Sequence, residues 1–207
     1  MVIFDGRFSM GDSRLVSGER ERSRGTPAER PPDSDEAFLA LGSNQGDRRA
    51  ALRGTVRAMA GAAPIEGVGV SPVYETEAHT RRPDEAQPAY LNAVVQLRME
   101  CSPETLLKRA WQWEVEAGRD RQAEEGRWQP RPLDVDLLVV GRVRRRTARL
   151  TLPHPRLAER RFVLRPWADL APNLRVPAPF ETTVETLLAR CRDCAALRRA
   201  APPPSAP

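Results

Sequence analysis

The chain is poor in the features that mark several large protein classes. No apolar run approaches the roughly 18 to 20 residues that span a bilayer, so a membrane-spanning helix is not expected. A signal-peptide core is missing too, because Asp5, Arg7 and Asp12 interrupt the first residues. The cytoplasm is the expected location. Three cysteines, an odd number, argue against a disulfide framework. Lys108 is the only lysine, and neither Gly-x-x-x-x-Gly-Lys-[Ser/Thr] nor Gly-x-Gly-x-x-Gly occurs. This excludes a P-loop and a dinucleotide fingerprint. If the protein handles a nucleotide, arginines and metal must do what a phosphate-cradling loop does elsewhere.

What is present is a chain of 207 residues, 40% hydrophobic and 29% charged, which fits one soluble globular domain with loose ends. The net charge of +5, carried almost wholly by arginine, suits nucleic acid or a small polyanion such as a nucleotide. Residues 1–35 are polar and without period, too poor in large apolar groups to offset ordering entropy. They read as a disordered extension. Residues 196–207 read as a disordered Pro/Ala-rich tail, leaving 36–195 as the folded domain.

Within that domain, Ala37–Leu41 predicts a buried strand, and Gly42 to Gly46 a turn. Asp47 caps a helix that ends near Gly61. Val68–Tyr74 and Tyr90–Met99 predict strands, with a long charged loop between them. Ser102 and Pro103 start a second helix that stops at Gly118. A second long polar loop covers 119–130. A strand over 134–140 follows, then a basic turn at Arg142–Arg146 and a short strand at Leu150–Leu152. Leu157–Phe162 predicts helix, and Thr182–Cys194 a last amphipathic one. The order predicts an α+β, ferredoxin-like fold: a mostly antiparallel sheet with helices packed on one side.

The chemistry concentrates in Arg127-Trp-Gln-Pro-Arg-Pro-Leu-Asp-Val-Asp-Leu-Leu-Val-Val140. Residues two apart on a strand point the same way, so Asp134 and Asp136 stand side by side. Adjacent carboxylates need a cation, and oxygen ligands of this kind suit Mg²⁺, which keeps places for water and phosphates. The bland alternative, a surface strand with both acids in water, conflicts with the apolar Leu133, Val135 and Leu137–Val140. Arg119, Arg121, Arg127 and Arg131 lead into this strand and can clamp polyphosphate, although a solvated basic surface would look similar. His154, fixed between two prolines, could donate to phosphate or be an idle loop histidine. Tyr90 and Asn92 pair a stacking ring with an amide on one strand face, a weak signal by itself. Cys191 and Cys194 lack a second pair or a nearby histidine, and with Cys101 they read as structural thiols. His79 reads as an exposed loop residue.

These segments together resemble the 6-hydroxymethyl-7,8-dihydropterin pyrophosphokinase family. The likeness rests on residues 127–138, on Ala40-Leu-Gly-Ser-Asn44, Val73-Tyr-Glu-Thr76, Gln87-Pro-Ala-Tyr-Leu-Asn92, Glu114 with Gly118-Arg119, and Leu152-Pro-His-Pro-Arg-Leu-Ala-Glu-Arg-Arg-Phe-Val-Leu164. It covers about residues 37–177. It implies transfer of pyrophosphate from ATP, the co-substrate, to the pterin's hydroxymethyl group, giving AMP. It implies two Mg²⁺ on Asp134 and Asp136, and names Arg119 and Arg131 beside them as catalytic. Glu114, Arg119, Arg121, Trp128, Arg131, Leu137, Arg149, Thr151, His154 and Arg160 would bind ATP. Thr76, Tyr90, Asn92, Trp128, Asp134 and Phe162 would bind the pterin. The two long loops would close over the substrates. A monomer acting on small molecules, without nucleic acid or membrane partners, is expected.

The first loop departs from the family in Glu77-Ala-His-Thr-Arg81, and both loops look long. Trp111 stands where the family can carry a polar nucleotide contact. Rival readings use the same residues differently. One is a metal-dependent phosphohydrolase. The other is a basic RNA-binding module, which Asp134 and Asp136 disfavour by repelling phosphates.

Overall fold

A computed structural model describes residues 36–78, 87–121 and 129–204. The leading arm, the middle of each long loop and the last three residues lie outside these.

The first strand, β1 (Glu36–Ser43), is followed by helix α1 (Arg48–Ala60). Asp47 accepts the Ala50 N–H at 2.9 Å and so caps α1 as the sequence predicts. The expected single strand over 68–74 is two strands, β2 (Ile65–Val70) and β3 (Val73–Thr76). The break falls at Ser71-Pro72, because proline has no N–H for a ladder. Ser71 bridges it: its N–H donates to Val94 O and its Oγ accepts the Val94 N–H, both at 2.9 Å.

Strand β4 (Tyr90–Met99) leads to helix α2 (Pro103–Glu116), capped by Ser102 Oγ on the Thr105 N–H at 3.1 Å. Gly118, with φ +92°, ends it in a conformation that favours glycine. Then come β5 (Asp134–Val140) and the small hairpin β6 (Arg145–Arg146) and β7 (Thr151–Leu152). The expected helix over 157–162 is a tight 3-10 turn at Leu157–Glu159, followed by helix α3 (Arg161–Leu170). Strands β8 (Arg175–Val176) and β9 (Thr182–Thr183) precede helix α4 (Val184–Arg190), shorter than the 182–194 expected.

With a last strand β10 (Leu197–Ala201), the main sheet has the order β10-β3-β4-β1-β5, with β2 also on β4, and all its pairs are antiparallel. Without the last strand this is the ferredoxin-like arrangement. That last strand corrects the expectation of an unstructured tail from residue 196. The edge of β3 offers open backbone groups, and the Arg198 guanidinium pairs with Glu75 there. Pro202 to Pro204 come only after the strand.

Helices on one side is also corrected. Leu39, Leu41 and Leu137 face a core shared with α1 and α2, through Leu52, Met59, Leu106 and Trp113. The other sheet face carries Phe38, Val94 and Leu138, and α3 and α4 cover it with Val163, Leu164, Trp167 and Leu187. Phe38 and Trp167 meet ring to ring at 5.6 Å.

Candidate active site

Period-2 geometry sorts β5 into two roles. Val135 and Leu137 are buried against the α1/α2 side, while Asp134 and Asp136 turn to the opposite face. On that face Asp134 pairs across with Gly42 and Asp136 with Ala40 on β1, and Gly42 pairs in turn with Asn92 on β4. Two small residues therefore form a low floor between the acids and the Asn92 wall. A Cβ on Gly42 would stand 3.4 Å from Asn92 Oδ1 and 3.6 Å from the Tyr90 ring, so only a very small residue keeps the floor open.

Above this floor lies a cleft of about 590 Å³, the size of a small-ligand site. Asp134, Asp136 and Arg131 line it on one side, Thr76, Tyr90 and Asn92 on another, and Arg160 and Phe162 from the start of α3. All eight were singled out from the sequence.

Arginines hold both acids. Arg119 Nη1 donates to Asp134 Oδ1 at 2.6 Å, and Arg131 Nη1 to Asp134 Oδ2 at 3.2 Å. Arg160 Nη1 donates to Asp136 Oδ2 at 2.6 Å, and its guanidinium lies 5.7 Å from the Phe162 ring centre. His154 Nε2 is 3.9 Å from the same Asp136 oxygen. Burial alone would raise the Asp136 carboxyl, but Arg160, His154 and Arg156 together hold it below its ordinary 3.8. Burial depresses His154 to about 4, against the pull of Asp136. The imidazole is therefore neutral at pH 7, a hydrogen-bonding group rather than a charge.

Glu114, expected to contact the nucleotide, sits beneath the arginine cluster. It is fully buried on α2, outside the cleft lining. Its Oε1 accepts the Arg119 guanidinium and the Val135 N–H, each at 2.8 Å. Its Oε2 accepts Arg121 Nε at 2.8 Å, and Arg121 Nη2 joins it. Burial pushes its carboxyl above the ordinary 4.5, against Val135, Arg119 and Arg121. Glu114 thus aligns two arginines and the β5 backbone. Arg121 also lies over Trp111, 5.6 Å from the ring centre.

Leu137 is likewise a core residue, not a cleft side chain. Arg149 is exposed and Thr151 half-buried, both at the β6–β7 hairpin and outside the cleft lining. Trp128, Arg127 and His79 lie outside the described residues.

Sequence reading missed residues that brace the cleft from outside its lining, and some that line it. Asn44 was read only as part of a turn. Its Oδ1 accepts the Arg131 N–H at 2.7 Å, its N–H donates to Arg131 O at 3.1 Å, and its Nδ2 donates to Pro88 O at 3.2 Å. It ties both long loops to the end of β1. Arg48 does similar work, donating to Ala89 O at 2.6 Å and Glu75 Oε1 at 3.1 Å. The sequence signals were Asn44 inside a glycine-rich turn and at the end of the Ala40–Asn44 segment of the family likeness, neither of which gave it a site role. Arg156, Glu159 and Asp193 also line the cleft; nothing local in the sequence marks Asp193.

Asn92 Nδ2 donates to Thr76 Oγ1 at 2.9 Å, which leaves the amide oxygen turned toward Gly42. The arrangement is a flat slot with an amide at one end and a carboxylate–arginine cluster at the other. It suits a planar heterocycle next to a polyphosphate.

Comparison with known proteins agrees. The family model for 7,8-dihydro-6-hydroxymethylpterin-pyrophosphokinase matches residues 38–172. The 2-amino-4-hydroxy-6-hydroxymethyldihydropteridine pyrophosphokinase of Bacillus subtilis (strain 168) is 39% identical over 150 residues, 72% of this chain and 84% of that protein. The protein of the same name from Synechocystis sp. is 35% identical over 177 residues, 86% of each chain. A crystal structure of HPPK-DHPS in complex with substrates superposes with a TM-score of 0.54 over 76% of this chain. At 11% identity that likeness concerns the fold alone, and this chain spans 43% of that one. With a family model running from β1 to just past α3, and relatives alike along most of their length, the chain belongs to the 7,8-dihydro-6-hydroxymethylpterin-pyrophosphokinase family.

Proposed function

We infer that the protein transfers pyrophosphate from ATP to the hydroxymethyl group of 6-hydroxymethyl-7,8-dihydropterin, giving AMP and the pterin diphosphate for folate biosynthesis. The observation that carries this reading is the single cleft in which paired acids, arginines and the Tyr90–Asn92–Phe162 slot meet.

Tyr90 and Phe162 would hold the pterin between them, and Asn92 with the chain at Thr76 would read its edge. Arg119, Arg121, Arg131, Arg160 and His154 would hold phosphate oxygens, with Arg149 and Thr151 toward the nucleoside. For Arg119, Arg131 and Arg160 this means exchanging a carboxylate partner for phosphate. Trp128 would close over the slot.

The donor set fits magnesium. Asp134 and Asp136 point to one side, and their side chains are 29% and 34% exposed toward the cleft. Among the described residues no third carboxylate, histidine or cysteine completes a closed metal cage, as expected for an ion that keeps water and substrate phosphates in its shell. Two Mg²⁺ ions, when bound there, would neutralise charge between the triphosphate and the two acids. The protein's own share is positioning. The slot aims the pterin hydroxyl at the β-phosphorus, the arginines fix the chain of phosphates in line with it, and AMP leaves. The protein would act as a cytoplasmic monomer on small molecules, with no nucleic acid or membrane partner. No helix among the described residues is long and apolar enough to cross a membrane.

The test is incubation with ATP, Mg²⁺ and hydroxymethyldihydropterin. AMP that depends on the pterin supports the reading. Inorganic phosphate released without pterin would indicate a phosphohydrolase instead, and no turnover with salt-sensitive RNA binding would indicate the RNA module.

A further inference from the structure

Helix α3 begins without a cap from its own sequence. Arg160, just ahead of it, places no side-chain acceptor on the first turn. The Val163 N–H finds the Arg160 carbonyl at 3.0 Å, but the Arg161 N–H needs a partner from elsewhere. Asp193 supplies one from 32 residues downstream, its Oδ2 accepting the Arg161 N–H at 3.0 Å. Its Oδ1 accepts the Ala195 N–H at 3.0 Å. Asp193 also lines the cleft.

Arg161 stands between two residues of the site, Arg160 and Phe162. Two residues beyond Ala195 the chain enters β10, where Leu197 pairs with Thr76. Thr76 lines the cleft from the end of β3. The stretch from Asp193 to Leu197 therefore joins the Phe162 wall to the Thr76 wall. It lies beyond residue 172, where the family match ends.

We propose that Asp193 is a positioning residue for the pterin end of the cleft: its carboxylate fixes the first turn of α3 and thereby sets the width of the slot between Phe162 and Tyr90. A carboxylate suits this task because it accepts the N–H and meets the positive end of the helix dipole. The proposal rests on the reading of Tyr90 and Phe162 as the pterin walls.

The full chain is compared with Asp193→Ala and Asp193→Asn. Hydroxymethyldihydropterin is titrated by calorimetry in the presence of Mg²⁺ and a non-transferable ATP analogue, and the analogue is titrated alone. Asp193→Ala is expected to weaken pterin binding about tenfold and nucleotide binding clearly less, because of the phosphate-holding arginines only Arg160 adjoins that turn. Asp193→Asn keeps one acceptor oxygen for the Arg161 N–H but turns its NH₂ toward the Ala195 N–H, and it is expected to recover part of the loss. Unchanged pterin affinity in Asp193→Ala overturns the proposal, and so does an equal loss for both ligands or an asparagine variant no better than alanine. Wild-type AMP formation, measured separately, tests the reaction itself. A wild type that turns over normally beside an unaffected Asp193→Ala therefore sinks only this inference, whereas a wild type that binds no pterin sinks both.

Discussion

Asp136 and Glu114 are both acids in arginine company, yet their positions ask different things of them. Asp136 faces the cleft and can meet a cation; Glu114 is sealed under α2 with every oxygen engaged by protein donors. Asp136→Ala should leave the fold intact and lower AMP formation by on the order of 10³-fold or more, as loss of a metal carboxylate would. A fully active variant, with an unchanged circular-dichroism melt, would remove Asp136 from the site. Glu114→Gln should behave differently. Glutamine has one acceptor oxygen, and its NH₂ would face Arg121 or the Val135 N–H, donor against donor. Breaking a buried pair in this way should cost about 3–5 kcal/mol in a urea melt. The KM for ATP should rise more than that for the pterin, because the misaligned groups are Arg119 and Arg121. Equal shifts of both KM values would contradict the role given to Glu114. At this scale the sequence showed the acids, Tyr90 and Asn92, because β-strand spacing alone places them. It could not show Asn44 or Asp193, whose partners lie 87 and 32 positions away, or the burial of Glu114, which depends on α2 packing against the Val135 backbone of β5, 21 positions on.

Strands β2, β3 and β10 mark where local reading stopped. Val68–Tyr74 has the composition of one strand, and only pairing with β4 reveals that Ser71 bridges a break at Pro72. Leu197–Ala201 has no strand pattern of its own; the open edge of β3 makes it one. That edge is also pH-sensitive. The Arg198 guanidinium holds Glu75 below its ordinary 4.5, with Arg48 adding and partial burial opposing. A carboxylate with a depressed folded-state pKa contributes stability above its unfolded value, and that contribution is lost as pH falls through the folded one. The expectation is that β10 loosens below about pH 4.5 while β1 and β4 hold. Arg198 is 76% exposed, so the effect should stay at or below about 1 kcal/mol. Amide exchange of residues 197–201, corrected for intrinsic rates, should accelerate in acid, and Glu75→Gln should remove that pH dependence. Acid-insensitive exchange in the wild type would show that the ladder alone holds the strand.

Among the described residues the molecule has two cores, one on each sheet face; the second lines the cleft with Val163 and Phe162, whereas the first reaches it only through Leu41. Apolar periodicity in α1 and α2 announced the first core. The second was hidden because its strand residues alternate with site residues: Phe38 with Ala40 and Gly42, and Leu138 with Asp134 and Asp136. The consequence is an asymmetry in how packing couples to binding. Helix α3 seats Val163, Leu164 and Trp167 in the second core and presents Arg160 and Phe162 to the cleft from its first turn. Helix α1 seats Leu52 and Met59 in the first core and presents no side chain to the cleft. Trp167→Ala should destabilise by about 3–5 kcal/mol and Leu52→Ala by about 2–5 kcal/mol, both by leaving a cavity. Their effects on pterin affinity should part. The cavity under α3 lets the helix settle and shifts Phe162, so pterin binding weakens several-fold, whereas Leu52→Ala leaves it near wild type at a temperature where both variants stay folded. Urea melts establish the stability loss for each, and calorimetric pterin titration then decides. If Leu52→Ala weakens the pterin as much as Trp167→Ala does, the two cores are coupled through the sheet and the slot is set by the whole domain rather than by α3.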